Sequence, residues 1–155
     1  MSFSSSRWRA PAALFLSVAL AACGSSSSAP PAATVDAALG TSLPAPVGIA
    51  TGSTQLPAGA TGVACEYHAS AYNVIIELLT NVPSSYIANF TAKFPVQATA
   101  VSGLGDQADS FSQSLGGGKN NEGVVASKGS TMVDITATDT PATLAQIEAL
   151  ITTLL

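Results

Sequence analysis

Few side chains in this sequence have the chemistry of a catalytic or metal site. The chain contains one histidine, His68, and two cysteines, Cys23 and Cys65. A zinc site needs several Cys or His ligands, and a calcium site needs clustered carboxylates. Neither kind of cluster occurs here at ligand spacing, so we predict no bound metal and no cofactor.

A glycine-rich segment, Gly103 to Ala108, formally matches the dinucleotide-binding pattern G-x-G-x-x-G/A. That pattern binds pyrophosphate only when a helix follows it and points its N-terminus at the phosphates. A strand-like alternation follows instead, so we predict a structural turn. In this turn Gly103 and Gly105 take positive φ, and Asp106 accepts hydrogen bonds from the local backbone.

The N-terminal residues have the order and spacing of an export signal. Arg7 and Arg9 precede a short apolar run over residues 10–20, which is too short to span a membrane. The run ends in Leu20-Ala21-Ala22-Cys23, which resembles the lipobox of bacterial lipoproteins. We therefore predict that residues 1–22 are a lipoprotein signal peptide and that Cys23 is lipidated after cleavage.

The charge of the mature part limits its partners. After residue 22 the chain has three lysines, no arginine and nine acidic residues, a net charge of −6. Nucleic-acid binding needs clustered basic residues to neutralise phosphates, so we exclude it. Electrostatic binding to anionic lipid headgroups is disfavoured too. We expect membrane attachment through acyl chains on Cys23, on the extracytoplasmic side of the cell envelope.

Lipidation of Cys23 would leave Cys65 without a partner in its own chain. Cys65 shares a predicted strand face with Val63 and Tyr67, and a buried thiol packs as a small apolar group. We expect Cys65 to be a buried free thiol and the domain to fold without a disulfide. An intermolecular disulfide is the alternative.

Residues 23–33 are rich in Ser, Pro and Ala and are predicted to form a disordered tether, and residues 34–155 a single domain. Period-two and helical patterns alternate along this domain. They predict a short helix closed by Gly40, a loop over 41–62, a strand hairpin, a helix over 83–94, four more strands, and a last helix capped by Thr140 with Pro141 in its first turn. The fold class is α+β, with an antiparallel sheet of about six strands and helices packed on one face.

Three segments, Val101–Ala108, Val124–Gly129 and Met132–Ile135, together with the closing Leu-rich helix, resemble small exported lipoproteins of actinobacteria, which are of unknown function. The layout is also similar to the PsbP-like fold, a curved antiparallel sheet with helices against it. This resemblance implies a fold and an envelope location, and it carries over no catalytic residues.

The sequence favours a lipid-anchored, non-enzymatic module that binds an envelope partner protein or an apolar ligand. The alternative is an envelope hydrolase in which His68 acts with a serine and an acid. No serine lies in the Gly-x-Ser-x-Gly pattern of a nucleophile elbow. We therefore expect His68 to be a polar-face strand residue.

Overall fold

The computed structural model describes Cys23 and residues 29–49, 56–92, 94 and 96–155. The predicted signal peptide, residues 1–22, and residues 24–28 of the predicted tether lie outside the described residues. The elements, in chain order, are α1 (Ala32–Leu39), β1 (Val47–Ile49), β2 (Thr61–His68), β3 (Asn73–Thr80), α2 (Tyr86–Thr91), β4 (Thr99–Ala100), β5 (Gln107–Gly116), β6 (Lys119–Lys128), β7 (Thr131–Thr140) and α3 (Leu144–Leu154).

The strands form one sheet in the order β1-β2-β3-β7-β6-β5-β4, and neighbouring strands are antiparallel. The predicted α+β class with an antiparallel sheet is confirmed. The described sheet has seven strands rather than about six. The additional strand, β1, lies in the segment predicted as a loop. It follows Pro46 and pairs only with β2, which is the edge position where a nearby proline is tolerated.

One face of the sheet packs against α1 and α3. Side chains that alternate along the strands point to this face, including Tyr67 and Cys65 on β2. The helices contribute apolar side chains at helical spacing, which bury against the strands. The residues of α1 and α3 that are at most 1% exposed are Val35, Leu39, Ile147, Leu150 and Ile151.

The prediction that the helices pack on one face is wrong for α2. Leu79, Val125 and Met132 point away from α1 and α3, and they cluster with Tyr86 and Ile87 of α2. The central strands carry apolar side chains on both faces, because their positions alternate between two buried environments. Such a sheet needs cover on both sides, and α2 supplies part of the second cover.

Of the two helix-end signals predicted from the sequence, the structure follows the one after α1 and departs from the one before α3. Gly40 adopts the left-handed conformation after α1, as predicted, with φ of 65°. The cap of α3 is Thr143 rather than Thr140, because Thr143 and Gln146 form a capping box. Thr140 instead accepts a hydrogen bond from the backbone N–H of Ala142. Within the described ranges, no helix combines the length and apolar composition needed to cross a bilayer.

Candidate functional site

Cys23 and Cys65 are joined by a disulfide bond, with a Cα–Cα distance of 5.9 Å. Cys65 is 1% exposed, which agrees with its expected burial. The prediction that it is a free thiol in a domain without a disulfide is wrong in this structure. The signal available in the sequence was the even number of cysteines in a chain predicted to be exported.

The disulfide bears directly on the predicted lipidation of Cys23. A thioether to a lipid and a disulfide to Cys65 use the same bonding position of Sγ, so one molecule carries only one of them. Cys23 Sγ also lies 3.4 Å from the carbonyl oxygen of Ala64, and the residue packs against the core. The lipidation of Cys23 therefore stays a prediction, with a competing bond now identified.

The segment after Cys23 is packed on the domain from residue 29 onward. The buried hydroxyl of Tyr67 donates a hydrogen bond to the carbonyl oxygen of Pro30, and Ala29 contacts the core. Helix α1 begins at Ala32, inside the segment predicted to be a disordered tether. Burial raises the pKa of Tyr67 to about 12, so its hydroxyl stays protonated and able to donate. The folded part thus begins earlier than the sequence predicts.

The glycine-rich turn has the conformation expected from its sequence. Gly103 and Gly105 have φ of 81° and 66°, and a strand, β5, follows rather than a helix. Asp106 Oδ2 accepts a hydrogen bond of 2.7 Å from the backbone N–H of Gly129, in the turn between β6 and β7. The bond therefore joins two turns far apart in sequence, instead of serving the local backbone as predicted.

His68 lies at the end of β2, on the rim of an open pocket of about 160 Å³. Its side chain is 72% exposed, and Nδ1 lies 3.9 Å from Glu66 Oε1. The same Glu66 oxygen accepts a hydrogen bond of 2.8 Å from Asn73 Nδ2. The pocket is lined by His68, Ala69, Ser70, Ala71, Tyr72, Asn73, Lys119, Thr138 and Asp139.

The far wall of this pocket carries an ion pair. Lys119 Nζ lies 3.4 Å from Asp139 Oδ2, and both side chains are well exposed. Asp139 has a φ of 57°, a left-handed conformation that is uncommon for residues other than glycine. The pocket therefore presents a cation, an anion and several hydroxyl and amide groups at one end of the sheet, which suits polar recognition rather than an acyl chain.

The hydrolase hypothesis needs His68 within hydrogen-bond reach of a serine hydroxyl. Ser70 lines the same pocket, but the polar contact that His68 makes with the described residues is the one to Glu66. Glu66 therefore lies near His68, but no serine hydroxyl of the pocket is hydrogen-bonded to the histidine. The pocket gives the hydrolase hypothesis no geometric support.

Two of the buried carboxylates face each other, and the sequence did not single them out. Glu77 on β3 and Asp134 on β7 are 2% and 4% exposed, and they are register partners across the two strands. Burial and the neighbouring Glu77 raise the pKa of Asp134 well above its usual range. The available signal was an acid inside each of two apolar strand runs. Among the residues that the structure describes, no group of three or more Asp, Glu, His or Cys side chains forms a metal site.

Comparison of the chain with models of protein families, with curated proteins and with solved structures found no match. The resemblance to actinobacterial lipoproteins and to the PsbP-like layout therefore stays a prediction.

Proposed function

We propose that this chain is a lipoprotein of the cell envelope, anchored on the extracytoplasmic side by acyl chains on Cys23, and that its domain is a non-enzymatic module for binding a partner protein. The observation that carries the anchor is the order of the basic residues, the apolar run and Leu20-Ala21-Ala22-Cys23. Two or more acyl chains suffice for stable membrane anchoring, since each buried methylene contributes about 0.8 kcal/mol.

A partner protein is favoured over an apolar ligand by the packing of the domain. An acyl chain between the sheet and the helices would need an apolar cavity in that layer. The side chains of α1 and α3 that face the sheet, such as Val35, Leu39 and Ile147, are at most 1% exposed and pack against the strands. Displacing them would cost the burial energy that holds the helices on the sheet.

The polar pocket beside His68 is the surface that we assign to this partner. Lys119 and Asp139 are half-exposed and of opposite charge, and they stand at the pocket wall with hydroxyl groups nearby. Two opposite charges close together orient a partner that carries the complementary charges at the same spacing. Such an arrangement contributes more to specificity than to affinity. The partner would present an acid toward Lys119 and a donor toward Asp139.

Mass spectrometry of the mature protein tests the anchor. The full chain is expressed in a bacterium, extracted with detergent and digested, and its N-terminal peptide is measured. We expect a peptide that begins at Cys23 and carries a diacylglyceryl group, and we expect C23A to lack the lipid. Finding no lipidated Cys23 peptide in any of the protein would contradict the anchor.

Site-specific photo-crosslinking tests the binding surface. A photo-reactive residue at position 70 should give a defined adduct with an envelope protein, and K119A should reduce that adduct. The same residue at exposed Ala149 on α3, which does not line the pocket, is the matched control. Equal adducts from both positions would count against the pocket. Ester hydrolysis that is lost in H68A would contradict a non-enzymatic role.

A further inference from the structure

Cys23 packs on the face of β2 that is turned toward α1 and α3. Cys65 lies on this face, where its neighbour on the edge strand β1 is Gly48. Residues directly opposite in an antiparallel pair place their side chains side by side on one face. Gly48 has no side chain, so β1 places no side-chain atoms directly opposite Cys65. Cys23 is bonded to Cys65 and packs against the core.

The docked segment keeps Cys23 near Cys65 through contacts other than the disulfide. Pro30 accepts the hydrogen bond from Tyr67, two residues beyond Cys65 on the same face. At the other end of the segment, Leu39 accepts a hydrogen bond of 3.1 Å from Gln146 Nε2 of α3. Once these contacts form, the two thiols share a high effective concentration, since only a short stretch of chain joins Cys23 to Pro30.

We propose that Cys65 is a competing acceptor for the sulfur of Cys23, so that the protein exists in two exclusive covalent states. In one state Cys23 carries the lipid and Cys65 is a buried free thiol. In the other state Cys23 is bonded to Cys65 and carries no lipid. This inference rests on the proposed lipoprotein function, and it adds that folding before lipidation commits Cys23 to the disulfide.

In lipidation the Cys23 sulfur forms a bond to a glycerol carbon of a phospholipid, the phosphate headgroup leaves, and the thiol proton goes with it. In oxidation two thiols form one disulfide by exchange with a disulfide of an extracytoplasmic oxidoreductase. That partner takes up the two electrons and two protons and becomes a dithiol.

Intact-mass measurement with differential thiol labelling separates the two states. Cells expressing the full chain are quenched with N-ethylmaleimide under denaturing conditions, so that a buried Cys65 thiol can react, and the protein is measured before and after reduction and labelling with a second reagent. For wild type we expect a lipidated pool with one maleimide on Cys65, and an unlipidated pool that takes two second labels only after reduction.

The variant C65A should lose the disulfide pool and place its Cys23 in the lipidated pool. V63A, on the same face of β2 with both cysteines kept, is the control for a change in packing. In cells lacking the oxidoreductase, wild type should reach the same lipidated fraction as C65A. This comparison keeps the test valid if C65A folds poorly.

The outcomes separate this inference from the function on which it rests. A fully lipidated wild type with Cys65 labelled, or an unlipidated fraction unchanged in C65A, would overturn the competition and leave the lipoprotein function standing. Absence of lipid on Cys23 in both wild type and C65A would overturn the lipoprotein function itself.

Discussion

Glu77 on β3 and Asp134 on β7 lie directly opposite each other in the sheet, and both carboxyl groups are almost completely buried. Two carboxylates this close in a low-dielectric environment do not both ionise without a large cost. Burial first, and the charge of Glu77 second, raise the pKa of Asp134, while a hydrogen bond from Thr136 partly offsets them. The pair therefore holds a proton at a pH where exposed carboxyl groups have lost theirs.

The raised pKa of Asp134 makes stability depend on pH in a defined direction. The folded state binds the proton more tightly than the unfolded state, so the contribution of Asp134 is fully present below its unfolded pKa. It is lost as the pH rises through the folded pKa. We expect the free energy of unfolding, measured with urea, to be lower at about pH 8 than at about pH 5.

Replacing Asp134 by asparagine should remove this dependence. D134N puts a neutral amide opposite Glu77, so we expect it to raise the free energy of unfolding at neutral pH by about 1–3 kcal/mol, the cost of a poorly compensated buried polar group. E148Q on α3 removes a charge far less buried, and it should leave the pH profile unchanged. A destabilised D134N with the wild-type pH profile would refute this account of the pair.

How far the sequence predicted the fold depended on how local each signal was. The alternation in β2 and β3 and the left-handed Gly40 are local patterns, and the structure has both. Strand β1 has only three residues, too few to show a period, and it depends on pairing with β2. The position of α2 on the second face of the sheet could not be read from the alternation within one strand. That alternation shows that both faces are buried but not which element packs on each.

The candidate site was less predictable, because its parts come from distant segments. Cys23 and Cys65 are 42 residues apart, and the segment between them includes Pro30, which contacts Tyr67 of the sheet. The polar pocket joins the β2–β3 turn to Lys119 and Asp139, which belong to other strands. Local sequence patterns identified His68 and Asp106 as candidate residues, but only the order of the strands shows what each of them contacts.

The disulfide should stabilise the unlipidated domain. It closes a long loop in the unfolded chain, so removing it should lower the free energy of unfolding by about 2–4 kcal/mol. C23S removes the bond and keeps the buried Cys65, whereas C65A removes the bond and some packing. Urea unfolding should show wild type losing stability in reductant and C23S unaffected by it. A C23S protein as stable as oxidised wild type would contradict this prediction.

The hydroxyl of Tyr67 should hold the N-terminal segment to the sheet. Y67F leaves the carbonyl of Pro30 without its buried donor, so we expect a loss of about 1–2 kcal/mol in urea unfolding and faster proteolysis of the segment before α1. Y72F is the matched control, because its hydroxyl contacts the backbone of Ser42 at an exposed position. That change should cost less than about 0.5 kcal/mol. Similar losses in both variants would mean that the buried bond has no special role.

Gly103 and Gly105 offer a paired test of why the turn needs glycine. Both have positive φ, so alanine at either position should cost about 1–2 kcal/mol from backbone strain alone. A Cβ at Gly103 would meet nothing within 4 Å, but at Gly105 it would lie 2.2 Å from the carbonyl oxygen of Ser127. That oxygen already accepts a hydrogen bond of 2.6 Å from the N–H of Asp106, so it has little freedom to move.

We therefore expect G105A to be clearly less stable than G103A in urea unfolding, with a total loss of about 3 kcal/mol or more. The difference between the two variants isolates the close approach of the turn to β6, because the strain from positive φ is common to both. D106N should weaken the neighbouring hydrogen bond from the Gly129 N–H, and so lower the free energy of unfolding by less than G105A does. Equal losses in G103A and G105A would show that positive φ alone, and not contact with Ser127, requires glycine at position 105.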